Sequence, residues 1–138
     1  MDRQAQIDLI LDHYENPRHH GPLADASAVE TGTNPGCGDV VTIYLKAGRD
    51  GCIAEISFDG DGCTISQAGA SMVTEMFAGK ALAEVEATRP EVVMDLIGRD
   101  IAAARLKCAL LGLNTTKEAV RRLRAIGSEC RAGARCLL

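Results

Sequence analysis

Apolar residues near the start of the chain recur at the helical spacing i, i+3, i+4 and i+7. They are Ile7, Ile10, Leu11 and Tyr14. Residues at this spacing share one face of an α-helix. Pro17 follows, and the residue before a proline disfavours helical geometry. The pattern predicts an amphipathic helix from the start of the chain to about Tyr14.

Alternation of apolar and polar residues then marks the segment 39–47, DVVTIYLKA. Val41, Ile43 and Leu45 fall on one side of such a segment, which is rich in the β-branched residues that favour strands. The turn GRDG leads from it into CIAEISFD, residues 52–59. The two segments predict an antiparallel hairpin, and one further strand is expected near residues 28–31.

Helical spacing returns directly after Cys63. Thr64 and Gln67 have the spacing of a capping box, which predicts that a helix begins there. A short helical pattern covers 91–98, and a last helix is predicted over 106–126. Strands and helices are thus segregated along the chain. The predicted fold class is α+β, with a small antiparallel β-sheet of about three strands packed against several α-helices.

Length and composition favour a single domain. The chain has 138 residues, of which 46% are hydrophobic, and this is enough to form a core without disulfides. The domain is expected to span residues 1–138. Its last part, residues 127–138, follows the predicted end of the last helix and is expected to be a loosely ordered C-terminal tail.

The charge balance excludes some classes of partner. Nineteen acidic residues outnumber fifteen basic ones, which gives a net charge of −4 and argues against nucleic acid or an anionic membrane as a partner. The N-terminus lacks the features of a secretory signal, and no apolar run approaches the length of a membrane span. The expected location is cytoplasmic, where six cysteines are more plausible as thiols or metal ligands than as disulfides.

Several arginines gather towards the C-terminus. They are Arg121, Arg122, Arg124, Arg131 and Arg135. A solvated helix face and tail is the favoured interpretation. A docking patch for an acidic partner protein is the alternative, and it predicts that neutralising the first three arginines weakens association with that partner.

The cysteines lie far apart in the sequence. They occupy positions 37, 52, 63, 108, 130 and 136. No Cys-x-x-Cys pair occurs, so a zinc ribbon or a thioredoxin-like site lacks its usual support. Any metal site must therefore gather its ligands from distant segments.

Cys37 lies between two glycines in the stretch NPGCGDVV, residues 34–41. Gly36 and Gly38 would let a metal or a substrate approach the backbone closely. Asp39 can point to the same side as Cys37 if the chain is already extended there, and the two side chains would then converge as metal ligands do. In the alternative interpretation the turn is ordinary and Cys37 is a small buried filler. Spacing alone favours neither.

Cys63 and Cys108 both lie near the expected starts of helices. The free N–H groups and the dipole of a helix N-terminus favour a thiolate, which a nucleophile or a metal ligand needs. Gly60 and Gly62 would let the loop before Cys63 bend towards the first strand. Lys107 adds a positive charge beside Cys108, although a buried helical cysteine is the stronger interpretation of Cys108 taken alone.

The remaining cysteines and the histidines have weaker settings. Cys52 opens a strand at the end of the sheet opposite the candidate site and is interpreted as structural. Cys130 and Cys136 lie in the expected tail. They could be accessory thiols, but the favoured interpretation assigns them no role. A single histidine could serve as a base or ligand, but all three are interpreted as surface loop residues. They are His13, His19 and His20.

Five segments together carry a family resemblance. They are LDHYENPRHHGPL (11–23), NPGCGD (34–39), DGDGCTISQAGASMVTE (59–75), GK (79–80) and RLKCALLGL (105–113). With these segments the chain resembles the scaffold-type iron–sulfur assembly proteins IscU, SufU and the NifU N-terminal domain. Three cysteines in order, each within its expected local motif, make the resemblance specific. It implies a ligand set of Cys37, Asp39, Cys63 and Cys108.

The chain combines marks of two subtypes of these proteins. IscU-type proteins usually have a histidine directly before the third cysteine and an LPPVK-like chaperone recognition motif upstream of it. Here the stretch is IAAARLKC, with Lys107 at the histidine position and no such motif, so an Hsp70-type chaperone has little support as a partner. A lysine at this position, as in Lys107, resembles SufU-type proteins. The segment before it, however, is too short to hold the insertion that is typical of SufU.

The resemblance implies a scaffold function. Such a protein receives sulfur from a cysteine desulfurase of the IscS or SufS type, assembles a transient 2Fe–2S cluster from iron and sulfide, and passes it to apo iron–sulfur proteins. Cys37, Cys63 and Cys108 are the candidate persulfide acceptors. Lys107 is expected to pair with Asp39 or to stabilise a thiolate.

Three alternatives remain open. Soft sulfur ligands also suit zinc, so the chain could be a SufU-like zinc-dependent sulfurtransferase, an enzyme that builds no cluster. A cysteine hydrolase would use Cys37 or Cys63 with a histidine and would be indifferent to chelators, but it gives Asp39 no role. A structural zinc module would unfold when its metal is removed.

Overall fold

A computed structural model describes the backbone of residues 2–131 and the side chains of residues 2–125. Three strands and six helices lie within this part of the chain. In order they are α1 (Arg3–Glu15), β1 (Ala28–Asn34), β2 (Asp39–Ala47), β3 (Ile53–Asp61), α2 (Thr64–Phe77), α3 (Leu82–Ala87), α4 (Pro90–Ile97), α5 (Arg99–Ala104) and α6 (Leu106–Arg131).

The strands form one antiparallel sheet in the order β1-β2-β3. The alternation predicted for residues 39–47 is present, and Val41, Ile43 and Leu45 are fully buried on the same side of β2. The register pairs Asn34 with Asp39 across the β1–β2 turn. The predicted α+β class with a three-stranded antiparallel sheet is confirmed.

Helices α2 and α6 pack against each other and against the sheet. They approach so closely that a Cβ added at Gly112 of α6 would lie 2.8 Å from the Cα of Ala70 in α2. Their aliphatic side chains join those of the sheet in one hydrophobic core, which also includes Phe58, Val73 and Leu113. The same packing brings the start of α6 to the β1–β2 turn.

Helix α1 packs against α2 through a buried polar contact. The His13 Nδ1 atom lies 2.7 Å from the Ser71 hydroxyl, and the Arg18 backbone N–H donates to the same hydroxyl at 2.9 Å. His13 Nε2 faces Glu75 at 3.5 Å. The interpretation of His13 as a surface loop residue is therefore wrong, because it is a helical residue with only 3% of its surface exposed.

Some local predictions need correction. The N-cap of α2 is Cys63, whose side chain makes no capping hydrogen bond, so the capping box predicted for Thr64 and Gln67 is wrong. The short helices α3 and α5 were not predicted. Helix α6 continues past its expected end at residue 126 to Arg131. The loosely ordered tail stays a prediction for residues 132–138, which lie outside the described part of the chain.

No helix among the described residues is both long enough and apolar enough to cross a membrane.

Candidate metal centre

Three different elements bring the four candidate ligands to one end of the sheet. Cys37 lies in the turn between β1 and β2, and Asp39 is the first residue of β2. Cys63 is the N-cap of α2, and Cys108 is in the first turn of α6. The hairpin supplies two of these residues, and the packing of the two long helices supplies the others.

The turn around Cys37 is short and closed by its own backbone. The Cys37 N–H donates to the carbonyl oxygen of Asn34 at 3.1 Å, and Gly38 has a φ of +72°, which favours glycine. In this conformation Cys37 is exposed to solvent. It is a free thiol and forms no disulfide. Cys37 is therefore not the buried filler of the alternative interpretation.

Cys37, Asp39 and Cys108 form a compact group, in which one ligand atom from each lies within 4.8 Å of the others. The two sulfur atoms of Cys37 and Cys108 are 3.8 Å apart, and the Cys108 sulfur lies 3.0 Å from Asp39 Oδ2. Cys37 and Cys108, which are 71 positions apart in the chain, are thus close enough to bind the same metal ion.

Cys63 joins this group through Asp39. Its backbone N–H donates to Asp39 Oδ1 at 2.8 Å, and its sulfur lies 4.0 Å from Asp39 Oδ2. The Ser66 hydroxyl donates to the Cys63 carbonyl oxygen at 3.0 Å, which fixes the first turn of α2. Asp39 is consequently held by the backbone of the helix whose N-cap carries the second thiol.

Asp39 is buried, yet its surroundings favour the carboxylate. Burial alone would raise the pKa of Asp39. Hydrogen bonds from the Cys63 backbone and from Cys108, Ser66 and Asn34 outweigh this effect, so the pKa lies below its usual value. The charged form that a metal ligand requires is therefore the one present at neutral pH.

Cys108 has the opposite character in the metal-free protein. Only 2% of its surface is exposed, and burial together with hydrogen bonds to Asp39, Cys63 and Cys37 raises the pKa of its thiol to about 12. Cys108 therefore keeps its proton at neutral pH until a cation arrives. This outcome differs from the thiolate that a helix N-terminus alone would favour, because the neighbouring carboxylate and the loss of hydration weigh more.

The donor set fits a thiophilic metal. Two thiolates bound at about 2.3 Å in a tetrahedral zinc site lie about 3.8 Å apart. The Cys37–Cys108 sulfur distance of 3.8 Å has this value without any rearrangement. With Cys63 added, three thiols and one carboxylate could supply four ligands, and soft sulfur atoms are also the usual ligands of iron–sulfur clusters.

One positive charge beside the thiols belongs to Arg105, a residue that the sequence did not single out. A hydrogen bond with Cys108, followed by electrostatic interactions with Cys63, Cys108 and Cys37, raises the pKa of the Arg105 guanidinium. Lys107 is exposed and makes no ion pair with Asp39 among the described side chains. Arg105 precedes Cys108 by three residues, which is one helical turn, and this spacing could have indicated it.

The other cysteines lie apart from this group or outside it. Cys52 is half-buried and precedes β3, at the end of that strand remote from Cys63. Cys130 belongs to α6, but its side chain lies outside the part of the chain whose side chains are described. Cys136 lies outside the described residues altogether. Neither interpretation of these last two is tested by the structure.

The histidines do not support a hydrolase. His13 Nδ1 is engaged by Ser71, and His20 packs edge-on against Phe58 with its ring centre 5.2 Å away. Within residues 2–125, no histidine makes a hydrogen bond to Cys37 or Cys63. A histidine base next to a cysteine nucleophile, which that function needs, is thus absent from this part of the chain.

The described arginines of the C-terminal tract are each paired with an acidic residue. Arg121 pairs with Glu118, Arg122 Nε lies 3.1 Å from Glu30, and Arg124 Nε lies 3.1 Å from Glu86. Exposed pairs of this kind contribute little to stability but offset much of the local positive charge. This arrangement favours the solvated helix face over a docking patch.

Comparisons with known proteins agree with the geometry. The family model of the NifU-like N terminal domain matches residues 5–129. The iron–sulfur cluster assembly scaffold protein IscU 1 of Archaeoglobus fulgidus is 35% identical over 113 residues, which are 82% of this chain and 72% of that protein. The zinc-dependent sulfurtransferase SufU of Bacillus subtilis is 34% identical over 130 residues, covering 81% of this chain and 86% of that protein.

A solved structure shares the fold as well. The N-terminal part of a nitrogen-fixing NifU-like protein from Brucella abortus superposes with a TM-score of 0.74 at 25% identity, covering 87% of this chain and 98% of that one. The chain is thus similar over most of its length to a cluster scaffold and to a sulfurtransferase.

Proposed function

Because the chain belongs to the NifU-like N-terminal domain family, we propose that it is a scaffold for iron–sulfur cluster assembly. The observation that carries the proposal is the convergence of three thiols and one carboxylate, from three elements, at one end of the sheet. In this function Cys37, Asp39, Cys63 and Cys108 bind the iron and the growing 2Fe–2S cluster, which is the cargo of the protein.

Sulfur arrives on Cys37 in this proposal. The Cys37 thiolate attacks the outer sulfur of a persulfide on the donor protein, a new S–S bond forms on Cys37, and the donor cysteine leaves as a thiolate. Cys37 is favoured over the other thiols because it is exposed, whereas Cys63 is half-buried and Cys108 is buried. A donor protein can reach an exposed turn without opening the fold.

Asp39 is assigned the role of the exchangeable ligand. A carboxylate is a harder and weaker partner for a sulfur-rich iron centre than a thiolate is. The Cys63 backbone N–H and the Asn34 amide can hold this carboxylate when it leaves the metal. Release of the cluster is therefore expected to begin at Asp39.

The partners follow from this function. A cysteine desulfurase of the IscS or SufS type supplies the persulfide, and apo iron–sulfur proteins accept the cluster. An Hsp70-type chaperone is not included, because the stretch before Cys108 lacks an LPPVK-like motif. Arg105, which lies beside the thiols, takes the supporting electrostatic role first expected of Lys107.

A zinc-dependent sulfurtransferase is the second candidate. It is favoured by the similarity to SufU, by Lys107 before Cys108 and by the zinc-like distance between the Cys37 and Cys108 sulfurs. In that case the same four residues would hold zinc, which lowers the pKa of its bound thiols and so favours the thiolate that accepts sulfur. Cys37 would still be the accepting residue, and the chain would then be an enzyme.

Anaerobic incubation of the zinc-loaded protein with ferrous iron, cysteine and a desulfurase separates the two candidates. Visible absorption and bound zinc are followed together. A scaffold loses zinc and gains sulfide-to-iron charge-transfer bands on the protein. A sulfurtransferase keeps zinc, stays colourless and raises desulfurase turnover.

Two variants serve as controls for this experiment. Cys37→Ser should abolish both the cluster bands and the stimulation of turnover. Cys52→Ser removes a half-buried thiol far from the site and should change neither. Equal effects of the two substitutions would contradict the proposed ligand set.

We also propose that residues 1–138 form a single domain of this type and that it works in the cytoplasm. The family match from residue 5 to residue 129 supports the first statement. The reduced thiols that the site requires support the second, since the cytosol keeps thiols reduced.

A further inference from the structure

We propose that Asn34 is a positioning residue of the site, whose side-chain amide donates one N–H to the Asp39 carboxylate and the other to the Cys108 sulfur. Through these contacts it holds both ligands and weakens electron donation from the Cys108 sulfur to a bound metal. The inference rests on the proposed function, because it takes Asp39 and Cys108 as ligands.

The side chain of Asn34 is placed for both contacts. Asn34 ends β1 directly opposite Asp39 in the sheet register, and only 8% of its surface is exposed. Its Nδ2 atom lies 3.4 Å from Asp39 Oδ2 and 3.4 Å from the Cys108 sulfur. An amide nitrogen carries two hydrogens, so both contacts can exist at once. Both partners act as acceptors, which fixes the orientation of the amide.

The backbone of Asn34 reaches a third candidate ligand. Its carbonyl oxygen accepts the Cys37 N–H at 3.1 Å. The following Pro35 restricts the backbone of Asn34 to extended geometry, so the amide projects from a fixed base. One residue is thus bonded to Cys37, Asp39 and Cys108, which come from two separate elements.

Such contacts influence a metal centre directly. Partners that hydrogen-bond to metal ligands orient them and tune the metal, and hydrogen bonds to cluster sulfurs shift reduction potentials. An N–H···S bond draws electron density away from the sulfur. The N–H that points to Asp39 can also hold the carboxylate by a hydrogen bond when the carboxylate is not bound to the metal. Asn34 would therefore affect both the affinity of the site for a metal and the rate at which the metal is released.

The competing explanation is that Asn34 only shapes the turn. Asparagine and aspartate are both favoured in turns because their side-chain oxygens bond to the nearby backbone. Asn34→Asp therefore preserves the shape and the turn chemistry, but replaces both N–H donors by a second negative charge facing Asp39. Asn34→Ala removes the donors without adding charge. A positioning role predicts metal affinity in the order Asn, Ala, Asp, whereas a turn role predicts that Asn and Asp are equal and Ala is weaker.

The test is titration of the metal-free protein with cobalt(II), followed by chelator competition for zinc(II). For Asn34→Ala we expect a 10- to 100-fold loss of zinc affinity, as is typical when a partner of a metal ligand is removed. We expect a larger loss for Asn34→Asp. The sulfur-to-cobalt charge-transfer band should move to longer wavelength in Asn34→Ala, because the Cys108 sulfur becomes a better donor.

Asn114→Asp is the matched control. It introduces the same charge on an exposed position of α6 and should leave affinity and spectrum unchanged. Wild-type affinity in Asn34→Asp, or an unmoved band in Asn34→Ala, would overturn the inference. If Asn34→Ala does not fold, the affinity of Asn34→Asp decides by itself.

These readouts do not depend on cluster assembly. A wild-type protein that binds cobalt(II) but forms no cluster would refute the scaffold function and leave the order of the variants meaningful. A wild-type protein that binds neither cobalt(II) nor zinc(II) would overturn both proposals.

Discussion

Gly62 lies against Asp39 so closely that no side chain fits between them. Its φ is +144°, and a Cβ at this position would lie 2.9 Å from the Asp39 Cα and nearer still to the carboxylate. Only glycine tolerates both conditions. The residue before Cys63 therefore decides whether the Cys63 N–H can reach Asp39.

Gly62→Ala should accordingly displace Asp39 and weaken metal binding at least tenfold. The matched control is Gly79→Ala. Gly79 also has a positive φ, of +80°, but nothing lies within 4 Å of its missing Cβ. The control should lower stability by about 1–2 kcal/mol, as an L-residue does in left-handed geometry, and leave metal affinity unchanged. Zinc affinity by chelator competition checks both variants, and equal affinities would contradict the role given to Gly62.

The Cys108 thiol predicts an alkaline loss of stability in the metal-free protein. Its pKa is raised from 9.0 to about 12, so between these values the folded state keeps a proton that the unfolded state has lost. The free energy of unfolding should then decrease as pH rises, by about 1.4 kcal/mol between pH 8 and pH 10.

Urea unfolding under reducing conditions at the two pH values measures this change. Cys108→Ser removes the titrating thiol and should remove this part of the pH dependence, while Cys52→Ser should keep it. An identical decrease in wild type and Cys108→Ser would assign the effect to other groups.

At the scale of elements, the contact between α1 and α2 depends on a neutral imidazole. Burial lowers the pKa of His13, and the nearby Arg18 lowers it further, against the opposing effects of Glu75 and Asp12. The unfolded chain therefore binds a proton more readily than the folded one. Acidification works against the packing of α1.

The stability of the protein should decrease as pH falls below 6.5, by up to about 1.4 kcal/mol for each pH unit that separates the folded and unfolded pKa values of His13. His13→Gln keeps a hydrogen-bonding group near Ser71 but does not titrate. Denaturant unfolding at pH 7.5 and pH 5.5 should show a smaller loss for this variant than for wild type. His19→Gln, at an exposed loop position, should behave as wild type does.

Elements with a long periodic pattern were predictable from the sequence, and the shorter ones were not. β2 has its predicted bounds because Val41, Ile43 and Leu45 all face one core. Helices α3 and α5 have six residues each, which is fewer than two helical turns, so no period develops. Their packing, not their sequence pattern, makes them helical.

The candidate site divides in the same way. Motif resemblance indicated Cys37, Asp39, Cys63 and Cys108, and the structure brings these residues together. Asn34 was missed because its importance comes from a contact with a residue 74 positions away, which no local pattern records. Arg105 was missed although its spacing of three residues from Cys108 is a local signal. The proline after Asn34 made it look like an ordinary turn residue.

At the scale of the whole molecule, the core and the site are largely separate. The core is one continuous hydrophobic cluster between the sheet and the helices, and the ligands lie at its end. We therefore expect a protein with such a core to fold without metal, unlike a small zinc module.

Removal of zinc by a chelator should therefore leave the far-ultraviolet circular dichroism spectrum native. The melting temperature should decrease, because ligand binding stabilises the folded state by about 2.7 kcal/mol at a free concentration 100 times Kd. Cys37→Ser should melt near the metal-free wild type whether or not zinc is added. Complete unfolding on chelation would restore the structural zinc module as the better explanation.

The ligands of the site are also synthesised in a fixed order. Ribosomes make the chain from its N-terminus, so Cys37, Asp39 and Cys63 emerge well before Cys108, which is 69 residues beyond Asp39. Until α6 is made and docked, the carboxylate and the two earlier thiols have no buried partner to close around an ion. A chain that ends before α6 thus carries three of the four proposed ligands but lacks Cys108, which closes the site. Binding of an ion by all four ligands is therefore expected only after α6 has docked.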